Sequence, residues 1–267
     1  MIESIRGTTD QTFGALMTKE EILSRVATVP HWYHQIDLGH GIVTPGINDS
    51  AENLRLLDLP QDCTGLTALD IGARDGFFSF ELERRGAQVI AVDYMPAAST
   101  GFAVAADVLK SRVSYLQENV YNLSERDLGE FDIVLFLGLL YHLPDPLGAL
   151  RIARDLCRRS FYLETLIIDG LIYLDDGAPL SLKQIDPRLE KLPLMQFFPG
   201  ASRNNDKSNF WGPNSRCVEA MLEESEFEVN TAIVGVDRAV FRCSVASDAD
   251  KRYQLAIAQG KLPITVP

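Results

Sequence analysis

The stretch Leu69-Asp70-Ile71-Gly72-Ala73-Arg74-Asp75-Gly76-Phe77 sets three carboxyl-bearing and cationic side chains and two glycines around one turn, after an apolar run and before a helical pattern. Glycines at 72 and 76 let the backbone turn tightly and approach a ligand where a Cβ would intrude. Between a strand and a helix, such a turn holds a cofactor. The spacing departs from G-x-G-x-x-G, because Arg74 stands at the middle glycine and no glycine follows at the dehydrogenase position. A dinucleotide would lay its pyrophosphate against the helix N-terminus, where Asp70 repels it. S-adenosylmethionine brings an ammonium and a sulfonium instead, and Asp70 becomes an attractive partner. Asp93 ends Val89-Ile90-Ala91-Val92-Asp93, 17 residues beyond Gly76, close to the roughly 20-residue separation at which an acidic residue accepts ribose hydroxyls. The expected cofactor contacts are Asp70, Gly72, Arg74, Asp75, Gly76 and Asp93, with Tyr94 or Met95 beside the adenine, Asn119 and Val120 near its amine, and Leu137. The plainer alternative is a strand-to-helix turn with Asp93 as a helix cap.

A second constellation follows the buried run 131–137. Tyr141-His142-Leu143-Pro144 could face the transferred methyl group, and a hydroxyl nucleophile needs a base there. With an ordinary pKa near 6.5, His142 suits proton removal at neutral pH. Glu164, at the end of the next apolar run, could orient His142 or accept the proton. Glu164 with Asp169 is an alternative site for a divalent cation such as Mg2+, although no metal is expected. On the substrate side, 197–214 mixes aromatic, amide and hydroxyl groups. Trp211 could stack on a sugar ring that Asn209 hydrogen-bonds, or the segment could be a turn capping a helix at 215–223. Trp32, Tyr33 and His34 could close the crevice as a lid, or could staple the N-terminal helix.

These residues need an open sheet to bring them together. From Thr67 onward, apolar runs at 68–71, 88–92, 113–116, 131–137 and 161–166 alternate with helical spacing at 77–85, 97–109 and 147–158. That alternation predicts an α/β fold with a doubly wound, mostly parallel seven-stranded sheet, Rossmann-like. Two β-rich runs, 228–236 and 238–245, predict a C-terminal antiparallel hairpin. The expected organisation is a helical cap or lid over 1–60 with a helix at 19–27, a core over 61–248 with a substrate-facing insert at about 170–214, and a tail over 249–267.

The hairpin at the end of a parallel sheet resembles class I methyltransferases. Gly138-Leu139-Leu140-Tyr141-His142 with Glu164-Thr165-Leu166 resembles more narrowly the tRNA wobble-uridine (carboxy)methyltransferase family and its small-molecule O-methyltransferase relatives, over roughly 30–245. The resemblance implies that Tyr141 and Arg238 help hold an added carboxylate on the cofactor, together with a lysine upstream of the first strand. Thr28 or its neighbours stand where that lysine would align, and the long basic N-terminal region of the tRNA branch is not seen. Both departures favour ordinary S-adenosylmethionine and a small substrate, with Arg238 on the substrate side.

Composition bears on partners. The 267 residues carry a formal charge of −12 and are 46% hydrophobic, enough for a full core and unfavourable for a polyphosphate partner. The group Arg151, Arg154, Arg158 and Arg159, at near-helical spacing, reads as a solvated helix face. Four dispersed cysteines suggest a reduced interior, and neither a membrane span nor a signal peptide is legible, so a cytoplasmic location is expected. The expected activity is methyl transfer to a hydroxyl oxygen of a small polar metabolite, a sugar or glycoside among the candidates. The alternatives are a tRNA wobble-base modifier and a non-catalytic cofactor-binding regulator; a homodimer is an open possibility.

Overall fold

The computed structural model describes residues 17–172 and 180–246. Among the described residues there are nine strands: β1 (Thr67–Ile71), β2 (Gln88–Asp93), β3 (Ser114–Gln117), β4 (Phe131–Leu137), β5 (Cys157–Leu166), β6 (Met195–Phe197), β7 (Trp211–Pro213), β8 (Phe227–Val234) and β9 (Arg238–Val245). Seven of them form one sheet in the order β3-β2-β1-β4-β5-β9-β8. β1 to β5 run parallel, and β9 pairs antiparallel with both β5 and β8. This is the doubly wound, Rossmann-like sheet with a C-terminal hairpin that the alternation predicts.

The sheet is covered on both faces because its central strands are apolar on both. Along β4, Val134 and Phe136 enter one cluster with Leu150 of α5 (Pro146–Asp155) and Val218 and Leu222 of α7 (Ser215–Glu224). Ile133 and Leu135 point oppositely, into a cluster with Phe78 and Leu82 of α3 (Phe77–Arg84) and Leu57 of α2 (Ser50–Leu57). That division is the period-two rule applied to a strand buried on both sides. Stacking of Phe161 on Phe227, with ring centroids 4.2 Å apart, ties β5 to the hairpin.

Several boundaries move, each for a local reason. The helix expected over 97–109 is a 3-10 turn, Ala97–Ser99, followed by α4 (Phe102–Leu109). Thr100 Oγ1 donates to the Arg74 carbonyl (3.0 Å) and Gly101 N donates to Asp75 (2.9 Å), so the chain breaks there to serve the neighbouring turn. The helix expected to reach residue 158 stops at Asp155, and β5 begins four residues early, at Cys157. Arg158 and Arg159 therefore leave the helix face and pair with the buried carboxylate of Asp132 at 2.9 and 3.3 Å. Asp132 also accepts from Thr67 N (3.0 Å), which joins the starts of β1, β4 and β5. The hairpin's first strand ends at Val234, leaving Gly235-Val236-Asp237 as the turn.

The N-terminal segment holds α1 (Lys19–Val26), closed by a Thr18/Glu21 capping box, and also α2, which periodicity did not predict. The 170–214 insert carries a short α6 (Leu182–Ile185) and the two-stranded β6–β7 sheet. The expected tail over 249–267 lies outside the described residues. No helix among the described residues is long and apolar enough to cross a membrane.

Candidate functional site

A crevice of about 980 Å³ opens at the carboxyl edge of the sheet, over the ends of β1, β2 and β4. That volume lies at the upper end for small-molecule sites, which run from about 300 to 1,000 Å³.

The wall beside β1 and β2 is built from the glycine turn. Gly72 sits at φ +85° and a Cβ there would press on the Leu139 side chain at 3.4 Å, so the left-handed backbone, more than space, calls for glycine. Gly72 N and Ala73 N both donate to the Val92 carbonyl, at 2.8 and 3.0 Å, drawing the turn onto the end of β2. Asp93 lines the crevice. Its two oxygens accept from Arg74 N and Met95 N, each at 2.9 Å, which fixes the carboxylate plane while leaving lone pairs for a hydroxyl. Tyr94, exposed at the rim, lines the same space as Asn119, Val120, Leu137 and Arg74.

Other expected contacts lie elsewhere. Asp70 is 2% exposed and does not line the crevice; it accepts from Ser79 Oγ at 2.6 Å, beneath the turn. Burial, with Asp93 nearby, pushes its pKa up to about 6. Asp75 is fully buried and clamps backbone: Oδ2 accepts from Tyr33 N (2.6 Å) and His34 N (2.9 Å), and Oδ1 from Gly101 N. A Cβ on Gly76 would fall 2.6 Å from the Phe102 ring, so this glycine serves packing. Met95 stays outside the crevice, its carbonyl accepting from Tyr115 OH at 2.7 Å. Asp70, Asp75, Gly76 and Met95 thus shape the site from behind, a division that spacing alone does not reveal.

At the opposite end, the 3-10 turn Leu140–His142 carries Tyr141 and His142 to the edge of β4. Their rings lie 4.1 Å apart, and the Arg238 guanidinium sits over Tyr141 at 5.2 Å. Arg238 Nε pairs with Glu164 Oε1 at 3.0 Å. Glu164 is buried, and desolvation raises its pKa against the lowering influence of Arg238. Glu164 therefore serves Arg238 and not His142. His142 lines the crevice, and its Nδ1 lies 3.1 Å from the Ser208 carbonyl and 2.9 Å from Ser208 Oγ. Burial lowers the His142 pKa, so the ring is neutral at pH 7.

The N-terminal segment contributes Tyr33 and His34 to the crevice, but not Trp32. Trp32 is core: its Nε1 donates to the Val26 carbonyl at 3.1 Å and its ring fills the space beside Gly101. His34 is buried, with a pKa brought down to about 4 by desolvation, and its Nδ1 has no partner among the described residues. From the insert, Asn209 lines the crevice and donates to the Arg203 carbonyl at 3.2 Å, whereas Trp211 donates to the Pro144 carbonyl and packs on Phe197 outside it. Trp211 lies in strand β7, paired with β6, and not in the expected turn, while Asn214 does cap α7, accepting from Cys217 N at 2.9 Å. Of the two carboxylates of the cation alternative, Asp169 accepts from Ser215 N and Oγ at 2.7 and 2.5 Å, and Glu164 pairs with Arg238. No group of acidic, His or Cys side chains that could hold a metal occurs among the described residues.

Sequence reasoning missed Ile47, 85% exposed at the rim, and Asp206, Ser208 and Asp237 on the far wall. Asp206 and Ser208 lie inside the polar 197–214 run, but only folding brings them beside His142.

Residues 69–162 match a family described as a methyltransferase domain. A tRNA U34 carboxymethyltransferase of Dichelobacter nodosus (strain VCS1703A) is 35% identical over 120 residues, covering 43% of this chain and 38% of that protein. A ubiquinone biosynthesis O-methyltransferase of Xanthomonas campestris pv. campestris (strain B100) is 32% identical over 104 residues, covering 38% and 44%. The alignment thus spans less than half the length of each relative. Among solved structures, the N-terminal domain of EvdMO1 with SAH bound superposes at a TM-score of 0.59 and 21% identity, covering 86% of this chain and 98% of that one. Magnesium protoporphyrin IX methyltransferase (ChlM) from Synechocystis PCC 6803 with bound SAH gives 0.51 at 17% identity, covering 74% and 81%. At such identities the structural likeness is one of fold.

Proposed function

We propose that the chain, whose residues 69–162 match a methyltransferase-domain family, moves a methyl group from S-adenosylmethionine to a hydroxyl oxygen of a small polar metabolite, with a sugar or glycoside as the leading class. The observation that carries this reading is the single crevice joining Asp93 at one end to His142 at the other. Asp93 is placed to accept ribose hydroxyls, the Gly72 turn admits the amino-acid portion, and Tyr94 and Asn119 border the adenine end. The bound cofactor would supply an electrophilic methyl carbon on a sulfonium, whose C–S bond breaks as the C–O bond forms. The chain's part is alignment and proton removal: neutral His142 takes the hydroxyl proton, a role worth about 10² to 10⁴ in rate. Tyr141 and Arg238 border that end and orient the acceptor.

An ordinary cofactor is favoured over one bearing an extra carboxylate. The Arg238 charge is already matched by buried Glu164 at 3.0 Å, so an added anion would lie beside a carboxylate in a weakly screened setting. The formal charge of −12 also opposes tRNA. The proposal includes a small-molecule acceptor and no metal.

Calorimetric titration with S-adenosylmethionine, then a screen of sugars, glycosides and tRNA for labelled methyl, tests the reading. His142→Ala is expected to leave cofactor affinity unchanged and lower turnover by about 10² or more. Intact turnover in that variant removes His142 as the base. Methylation of tRNA with steep salt dependence, and none of the small acceptors, replaces the substrate class. Tight cofactor binding with no acceptor at all leaves a regulator in place of an enzyme.

A further inference from the structure

The far wall of the crevice contains a side-chain chain that runs away from His142. Ser208 Oγ donates to Asp206 Oδ1 at 2.6 Å, and Ser208 N donates to the same oxygen at 2.8 Å. With its proton committed to the carboxylate, the Ser208 hydroxyl has only lone pairs to offer His142 Nδ1, 2.9 Å away. The Ser208 carbonyl, 3.1 Å from the same nitrogen, can also only accept. Two acceptors on one ring nitrogen require that nitrogen to carry the hydrogen. The lone pair is then on Nε2, the other nitrogen of a ring that lines the crevice. We propose that Asp206 and Ser208 are positioning residues which hold neutral His142 as the Nδ1–H tautomer, leaving Nε2 free to take the acceptor's proton. This rests on the base role assigned to His142 above.

Tyr141 and Arg238 also face the ring: the Tyr141 ring lies tilted against it with centroids 4.1 Å apart, and Arg238 comes from β9. Desolvation lowers the His142 pKa most, and Arg238 lowers it further. The Ser208 carbonyl and the Asp206 carboxylate work in the opposite direction. The relay comes from a segment 66 residues downstream of His142.

The test uses nitrogen-15 spectra of the full chain saturated with S-adenosylhomocysteine; only four histidines are present, and the His142 signals are assigned by their loss in His142→Gln. The expected spectrum shows protonated Nδ1 and unprotonated Nε2 at pH 8. Ser208→Ala, which removes the hydroxyl and keeps the backbone carbonyl acceptor, should weaken this preference without reversing it, and Ser208→Thr should restore it. Asp206→Asn, which keeps an acceptor but removes the charge, should move the His142 titration midpoint to lower pH. An Nε2–H tautomer in the unaltered protein, or a midpoint untouched by Asp206→Asn, overturns the proposal. Thermal melts and S-adenosylhomocysteine affinity check that the variants fold. Failure of the base assignment reads out separately, as unchanged turnover in His142→Ala with the tautomer still as expected.

Discussion

Replacing Asp70 by Asn should stabilise the protein at alkaline pH and not at acid pH. Asp70 is buried beneath the glycine turn, with Ser79 Oγ at 2.6 Å as its hydrogen-bond donor and Asp93 adding like charge. Its carboxyl is moved from 3.8 to about 6. At about 1.4 kcal/mol per tenfold change in ionisation, holding it charged at pH 8 costs the fold about 3 kcal/mol. Between pH 4 and pH 6 the folded chain keeps a proton that the unfolded chain has released, so this group's contribution is greatest below pH 4 and is lost as pH rises through 6. An amide at 70 still accepts from Ser79 but brings an NH2 that wants a partner, a cost of about 1–2 kcal/mol. The expected balance is therefore a gain of about 1–2 kcal/mol at pH 8 and a loss of about 1 kcal/mol at pH 4. Urea unfolding of both proteins at the two pH values measures it; the decisive quantity is the change in the difference between them. A difference that does not vary with pH, or a variant least stable at pH 8, would show that the carboxylate is solvated or paired and refute the burial argument.

The remaining predictions concern ligand binding and packing. Asp93→Asn should weaken S-adenosylmethionine binding about tenfold or more in calorimetry, because a neutral amide replaces a carboxylate positioned for charge-assisted bonds to the ribose, and unchanged affinity would remove Asp93 from the cofactor site. Gly101→Ala places a Cβ 2.2 Å from the Trp32 ring and should cost about 1–3 kcal/mol in denaturant unfolding; a neutral effect would mean that Trp32 is free to swing. His142→Ala should separate binding from turnover as set out above.

Two carboxylates mark how far chain order reaches. That Asp93 ends a strand was legible, because a strand end and its distance from the turn are properties of chain order; it lines the crevice. Asp75, five residues after Asp70, has the same chemistry in sequence, yet it is fully buried and spends its oxygens on the backbone of residues 33, 34 and 101. Its partners are up to 42 residues away, and no local pattern encodes them. The basic group divides for a related reason: Arg151 and Arg154 lie on α5, whereas Asp132 on the neighbouring strand β4 pairs with Arg158 and Arg159 because β5 starts early.

The amino-acid sequence by itself determined the strand and helix alternation, the closing hairpin, the glycine turn and the acidic end of β2. These follow from side-chain periodicity and backbone freedom, which act over a few residues. Only tertiary structure decided which carboxylates line the crevice, that Trp32 and Trp211 pack away from it, that Glu164 answers to Arg238, and that Ser208 reaches His142. Each of those outcomes is a competition between distant partners for one buried polar group, and burial penalises whichever group is left unpaired. Chain order does not fix the winner of such a competition; the folded arrangement does.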